Sequence, residues 1–176
     1  FEELRLSYAL EDAETALGVL VEKLRPRKIG LLGFSLGGYV AVYIASRHRV
    51  SSLALLAPAV KLGELAKTTI SLAKQENGYY IIGFNKIKRE GLESMLGADA
   101  VALADRIEVP TLIIHSKNDF AVLYKHSVEF YERLRSREKR LVLLDEGGHT
   151  FDLYHVRQRV IEEVVSWFEN TLELQH

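Results

Sequence analysis

Apolar positions along this chain alternate between two rhythms. From Tyr8 to Leu24 they recur at helical spacing, at Leu10, Ala13, Leu17, Leu20, Val21 and Leu24, and Pro26 closes the stretch. Lys28 to Gly33 then reads as a short buried strand, Leu36 to His48 as a second helix, and Val50 to Pro58 as a second apolar strand. Pro110 opens the strand Thr111–His115, followed by a helix over Lys125–Leu134, a strand over Arg140–Leu144 and a last helix over Val156–Leu172.

Strands alternating with helices predict an α/β fold with a mainly parallel sheet flanked by helices. In such sheets a site forms beyond the carboxyl ends of the strands. The segment 61–108 is less regular. It carries the aromatics Tyr79, Tyr80 and Phe84 in a strand or hairpin, then short helical stretches between Glu90 and Leu103. It is longer than a simple crossover needs, so it reads as a small cap inserted over the site within a single domain spanning 1–176.

Composition narrows the function classes. The 176 residues, nearly half of them apolar, suffice for one domain with a core. A formal net charge of -1 offers no electrostatic case for nucleic acid, and no apolar run reaches the length of a membrane span. The absence of cysteine excludes disulfide and thiolate chemistry and fits a reducing, cytoplasmic compartment. There is no HExxH, no phosphate-binding GxxxxGK[ST] and no GxGxxG, so neither a metal nor a nucleotide cofactor is expected. A small-molecule substrate is the natural partner, and the oligomeric state is left open.

The chemistry concentrates at Gly33-Phe34-Ser35-Leu36-Gly37-Gly38. A Gly-x-Ser-x-Gly pattern is short enough to arise by chance, but here it falls where a buried strand ends and a helix begins. A sharp turn there forces the central residue into a strained backbone conformation and presents its side chain outward. Gly33 and Gly37 are expected to remove side chains that would collide, and Gly38 to let the helix sit closer still. The helix N-terminus aims free N–H groups at whatever forms on Ser35, the Leu36 N–H among them as an oxyanion donor.

A serine hydroxyl needs a base, and the base needs an orienting acid. Asp119 follows the strand Thr111–His115, and His149 follows the strand Arg140–Leu144 in Glu146-Gly147-Gly148-His149. The order Ser, Asp, His is the one this kind of turn carries. Among other histidines, His48 closes a helix, His126 and His155 lie on predicted helices, and His176 is terminal. His115 ranks second to His149, while Asp145 and Glu146 stand in reserve for Asp119. Phe34, Tyr79, Tyr80 and Phe84 are candidates for a substrate pocket, although aromatics in strands more often belong to the core.

With these residues in place the chain resembles the α/β-hydrolase superfamily over its whole length. GFSLGG at 33–38 is similar to its nucleophile elbow, PTLIIHSKND at 110–119 to the strand and turn that carry the acid, and EGGHTF at 146–151 to the histidine loop. Ser116 stands where that family often has glycine. The spacing looks most like small esterases of the cinnamoyl or feruloyl type, and is also similar to acylaminoacyl-peptidase-like hydrolases.

The resemblance implies a cofactor-free serine hydrolase acting on carboxylic esters, with Ser35 as nucleophile, His149 as base and Asp119 as acid. A peptidase with the same triad and a non-catalytic module that kept the fold are the alternatives. The superfamily begins with further strands, one of which supplies a second oxyanion N–H, and nothing here matches them. The elbow strand is therefore expected at an open sheet edge, in the C-terminal portion of a longer fold.

Overall fold

The computed structural model describes residues 2–83 and 85–173. They form two compact units, one built from 26–60 and 100–173, the other from 2–25, 61–83 and 85–99.

The larger unit is a four-stranded parallel sheet. Its strands are β1 (Gly30–Phe34), β2 (Ser52–Leu56), β6 (Thr111–Ser116) and β7 (Lys139–Leu144), in the spatial order β1-β2-β6-β7. Helix α2 (Leu36–Ala45) follows β1, α5 (Tyr124–Arg133) follows β6, and α6 (Tyr154–Leu172) closes the chain. Among the described residues β1 pairs with β2 alone, the edge position expected for the elbow strand, and Leu32 on it is exposed.

The period-two pattern sets the two faces of this sheet. Ala54, Leu112, Ile114, Val142 and Leu144 pack with Phe151 and the α6 residues Val156, Val160 and Trp167. The intervening residues face the other way: Gly33 meets Ala41 of α2, and His115 meets Ser127 of α5. Helices thus cover both faces, which is why β6 is buried at every position. A 3-10 helix over Ala100–Arg106 packs beside α2 and α5.

The smaller unit contains α1 (Leu6–Leu24), α3 (Leu62–Leu72), α4 (Arg89–Glu93) and an antiparallel sheet of β3 (Gln75–Glu76), β4 (Tyr79–Ile82) and β5 (Asn85–Lys88). The turn from β3 to β4 is Asn77-Gly78, both at positive φ, which suits a tight hairpin. Helix α3 lies in the segment expected to be irregular. Gly63 and the β-branched run Thr68-Thr69-Ile70 mask its helical signal. Gly63 is needed there for packing, since a Cβ would stand 2.5 Å from the Leu96 carbonyl oxygen.

The helical spacing of apolar residues in α1 marks a helix but not a buried face: Leu6 is its one buried residue, and Leu20, Val21 and Leu24 are exposed. A stripe records what a helix can bury, and burial needs a facing surface as well. Helix α1 ends at Leu24 with Arg25 in the left-handed region, before Pro26, whose ring disfavours helical backbone in the preceding residue.

The glycines at the strand-to-helix turn divide differently from expectation. A Cβ on Gly33 would meet the Gly37 carbonyl oxygen at 2.4 Å, and one on Gly38 would meet Pro58 at 2.6 Å. Gly37 has open space around its Cβ position, so the clash expected there is absent. It lies on the outer side of the first turn of α2, while Gly33 and Gly38 form the contact between strand, helix and the loop after β2. Gly33→Ala and Gly38→Ala are each expected to cost about 1–3 kcal/mol through overpacking. Gly37→Ala is expected to be neutral or stabilising by up to about 1 kcal/mol. Urea unfolding midpoints of the three variants check the division, and equal losses would refute it.

Candidate active site

The carboxyl ends of three parallel strands converge on one set of side chains. Ser35 follows β1 directly, Asp119 lies in the turn after β6, and His149 lies in the loop after β7. His149 Nε2 stands 3.0 Å from Ser35 Oγ, and His149 Nδ1 stands 2.7 Å from Asp119 Oδ2. The carboxylate accepts from Nδ1–H, which leaves Nε2 free to accept the serine proton.

Ser35 occupies φ 53°, ψ -120°, a sparsely populated region for a residue with a side chain. Its backbone is held on every side. The Ser35 N–H donates to Leu56 O at 3.0 Å, and its own carbonyl accepts from Gly38 N–H and Ala59 N–H, both at 2.9 Å. Helix α2 starts at the next residue, so the Leu36 N–H lies at the helix N-terminus, adjacent in the chain to Ser35.

Asp119 is buried, and both of its oxygens are saturated. Oδ1 accepts the backbone N–H groups of Ala121 and Val122, each at 2.8 Å. Oδ2 accepts from His149 and, at 3.0 Å, from Nε2 of His115. Burial alone raises the pKa of a carboxylate. The hydrogen bonds from His115, His149 and the Val122 N–H outweigh it and hold Asp119 well below the usual carboxylate range.

The loop carrying His149 is stapled to the turn carrying Asp119 by three consecutive residues. Ser116 Oγ donates to Glu146 O at 3.2 Å, Lys117 Nζ pairs with Asp145 at 2.7 Å, and Asn118 Oδ1 accepts the Gly148 N–H at 2.9 Å. Ser116, the departure from the expected glycine, thus has a role in this staple. Asp145 and Glu146, the reserve acids, are engaged elsewhere, Asp145 with Lys117 and Glu146 with His155. Gly147 at φ 123° and Phe151 at φ 53° bend the loop, and the Phe151 ring is sunk in the core beneath it.

The pocket candidates separate. Phe34 is part-exposed and its ring lies 5.0 Å from the His149 ring, centroid to centroid, so it lines the site. Tyr80 is a core residue of the smaller unit, its hydroxyl accepting from Gln75 Nε2 at 3.1 Å. Its expected place in a pocket gives way to the ordinary fate of a strand aromatic. Tyr79 is half-buried on the same strand under Lys86 Nζ, 4.9 Å from its ring. Phe84 lies outside the described residues. What sequence reasoning missed is His115 as a partner of Asp119; its i,i+4 spacing from that residue was the available signal.

Residues 3–165 match the model of the Uncharacterised protein family (UPF0227). The chain is 27% identical over 192 aligned residues to Esterase EstD of Thermotoga maritima, covering 90% of this chain and 47% of that protein. It is 22% identical to the Acylamino-acid-releasing enzyme of Mus musculus, covering 83% of this chain and 21% of that one. The chain thus spans less than half the length of these relatives.

Among solved structures, Est1E from Butyrivibrio proteoclasticus with ferulic acid bound superposes with a TM-score of 0.83 at 21% identity, covering 98% of this chain and 71% of that one. The monoacylglycerol lipase of Paleococcus ferrophilus does so with 0.70 at 18% identity, covering 92% and 76%. The fold is that of the α/β-hydrolases, and among the described residues no helix is long and apolar enough to cross a membrane.

The depressed pKa of Asp119 has a consequence for stability. Its folded value lies below the unfolded one, so the stabilisation is fully present above about pH 4 and is lost as the pH falls through the folded value. Asp119→Asn is therefore expected to cost most at pH 7, with the gap to wild type narrowing from about pH 4 downward. Urea unfolding at fixed pH values checks this, and a pH-independent gap would contradict it.

Proposed function

The chain belongs to UPF0227, and from that premise we propose that it is a serine hydrolase cleaving carboxylic esters through an acyl-enzyme intermediate. One observation carries the reading: an unbroken chain from Ser35 Oγ through His149 to the buried Asp119, at 3.0 and 2.7 Å, with the serine on a strained strand-to-helix turn. The esterase EstD relative and the esterase and lipase neighbours support the ester class.

In this reading Ser35 Oγ attacks the ester carbonyl as its proton passes to His149 Nε2. The Leu36 N–H, at the N-terminus of α2, faces the oxyanion that forms. Collapse of the tetrahedral intermediate breaks the bond to the alcohol, which leaves with the proton from Nε2. Water then repeats the sequence on the acyl-serine and frees the acid. Asp119 keeps its charge throughout, orients the ring through Nδ1–H and stabilises the transient imidazolium. Phe34, against the ring, is the pocket residue this reading retains.

Ser35→Ala is expected to lower p-nitrophenyl ester turnover by about a thousandfold or more and to abolish labelling by a fluorophosphonate. Labelling that survives the substitution would remove Ser35 from the reaction. The mouse relative favours a second reading, an acylaminoacyl peptidase with the same triad. Parallel kcat/KM values for an ester and an acyl-aminoacyl amide separate the two.

A further inference from the structure

His115 is wholly buried on the α5 side of the sheet, and the reaction described above makes no use of it. Its surroundings are nevertheless specified at both nitrogens. Nε2 stands 3.0 Å from Asp119 Oδ2 and 3.0 Å from Val122 O. A carbonyl can only accept, so Nε2 must carry hydrogen, and it shares that hydrogen between the carbonyl and the carboxylate. Nδ1 stands 2.8 Å from Ser127 Oγ on α5, so a hydroxyl holds the other side of the ring.

We propose that His115 is a positioning residue, one that holds the Asp119 oxygen on which the ring of His149 is oriented. The inference rests on the reading of Asp119 and His149 as acid and base. Oδ2 has two in-plane lone pairs, and the two histidines take one each. Val122 closes the arrangement, its N–H gripping Oδ1 while its carbonyl receives His115. The carboxylate therefore cannot turn about its own axis, and the direction it offers to His149 is fixed from beneath by β6 and α5.

A second donor on the same oxygen also draws charge away from His149. Loss of that donor concentrates the charge on Nδ1–H and favours the imidazolium. In the turn after β6 and the loop after β7 the other charged groups are Lys117, Asp145, Glu146 and Asp152, with His155 and Arg157 at the start of α6, and α5 adds Lys125, His126, Glu129, Glu132 and Arg133. Lys117 is paired with Asp145, and His155 with Glu146. Asp152 accepts from Thr150, and Arg157 donates to backbone carbonyls. Asp119 is the charged group hydrogen-bonded to His149.

Two polar substitutions of one site discriminate a positioning role from a structural one. In His115→Gln the longer amide places an N–H near the Nε2 position and can still reach Asp119. In His115→Asn the amide ends near the Nδ1 position, where it can meet Ser127 but not Oδ2. Imidazole NMR titration of His149, assigned by its loss in His149→Asn, is expected to show a midpoint about 0.5–1 pH unit higher in His115→Asn. The acid limb of kcat for a p-nitrophenyl ester moves with it, while kcat falls about tenfold and KM changes by less than about twofold.

His115→Gln is expected to restore both readouts, and Ser127→Ala to shift the midpoint in the same direction by less. A His149 midpoint unchanged between the Asn and Gln variants would overturn the proposal. The titration needs no substrate. A wild type that neither turns over esters nor takes up fluorophosphonate would therefore refute the catalytic reading, while the titration still decides the link through His115.

Discussion

A single buried carboxylate organises the chemical end of this molecule. Asp119 is cut off from water, and an ionised carboxylate there is costly unless donors replace its hydration. It has four of them: two backbone N–H groups from its own turn, one histidine from the strand beneath and one from the loop across. The ring that Asp119 turns toward Ser35 is thus oriented by a charge that is itself fixed. The loops on either side are laid out to keep it so.

Those loops carry strain that the sheet sustains. Ser35 and Phe151 both lie at positive φ without being glycine, a conformation costing on the order of 1–3 kcal/mol each. At Ser35 the ordered end of β1, the contact of Gly33 with α2 and the hydrogen bonds to Leu56, Gly38 and Ala59 determine the backbone from all directions. At Phe151 the burial of the ring among Leu144, Val156 and Trp167 supports the bend that brings His149 forward. Packing energy released in the core is large enough to hold both residues in place.

Strand and helix periodicity made the larger unit legible. Every predicted strand of the parallel sheet lies within a few residues of its expected place, because strands between helices leave short apolar runs that proline and glycine delimit, although β1, read as buried, has only Gly33 buried. The smaller unit was harder to read. Helix α3 hides behind Gly63 and three β-branched residues, and the apolar spacing of α1 marks a helix but not a buried face. Tyr80 looked available to a pocket and went to the core, since a strand aromatic has two faces to choose from and the pattern does not name the occupied one.

The sequence by itself determined where Ser35, Asp119 and His149 fall relative to the strands, since each follows an apolar run whose end can be read from local pattern. It also set their order along the chain. Only the tertiary structure decided that three residues separated by up to 114 positions would meet at 3.0 and 2.7 Å. It alone placed His115 behind the same carboxylate and left Gly37 in open space. Distances between side chains on different strands depend on sheet order, register and loop curvature, and these are fixed by packing across the whole unit rather than by any window of sequence.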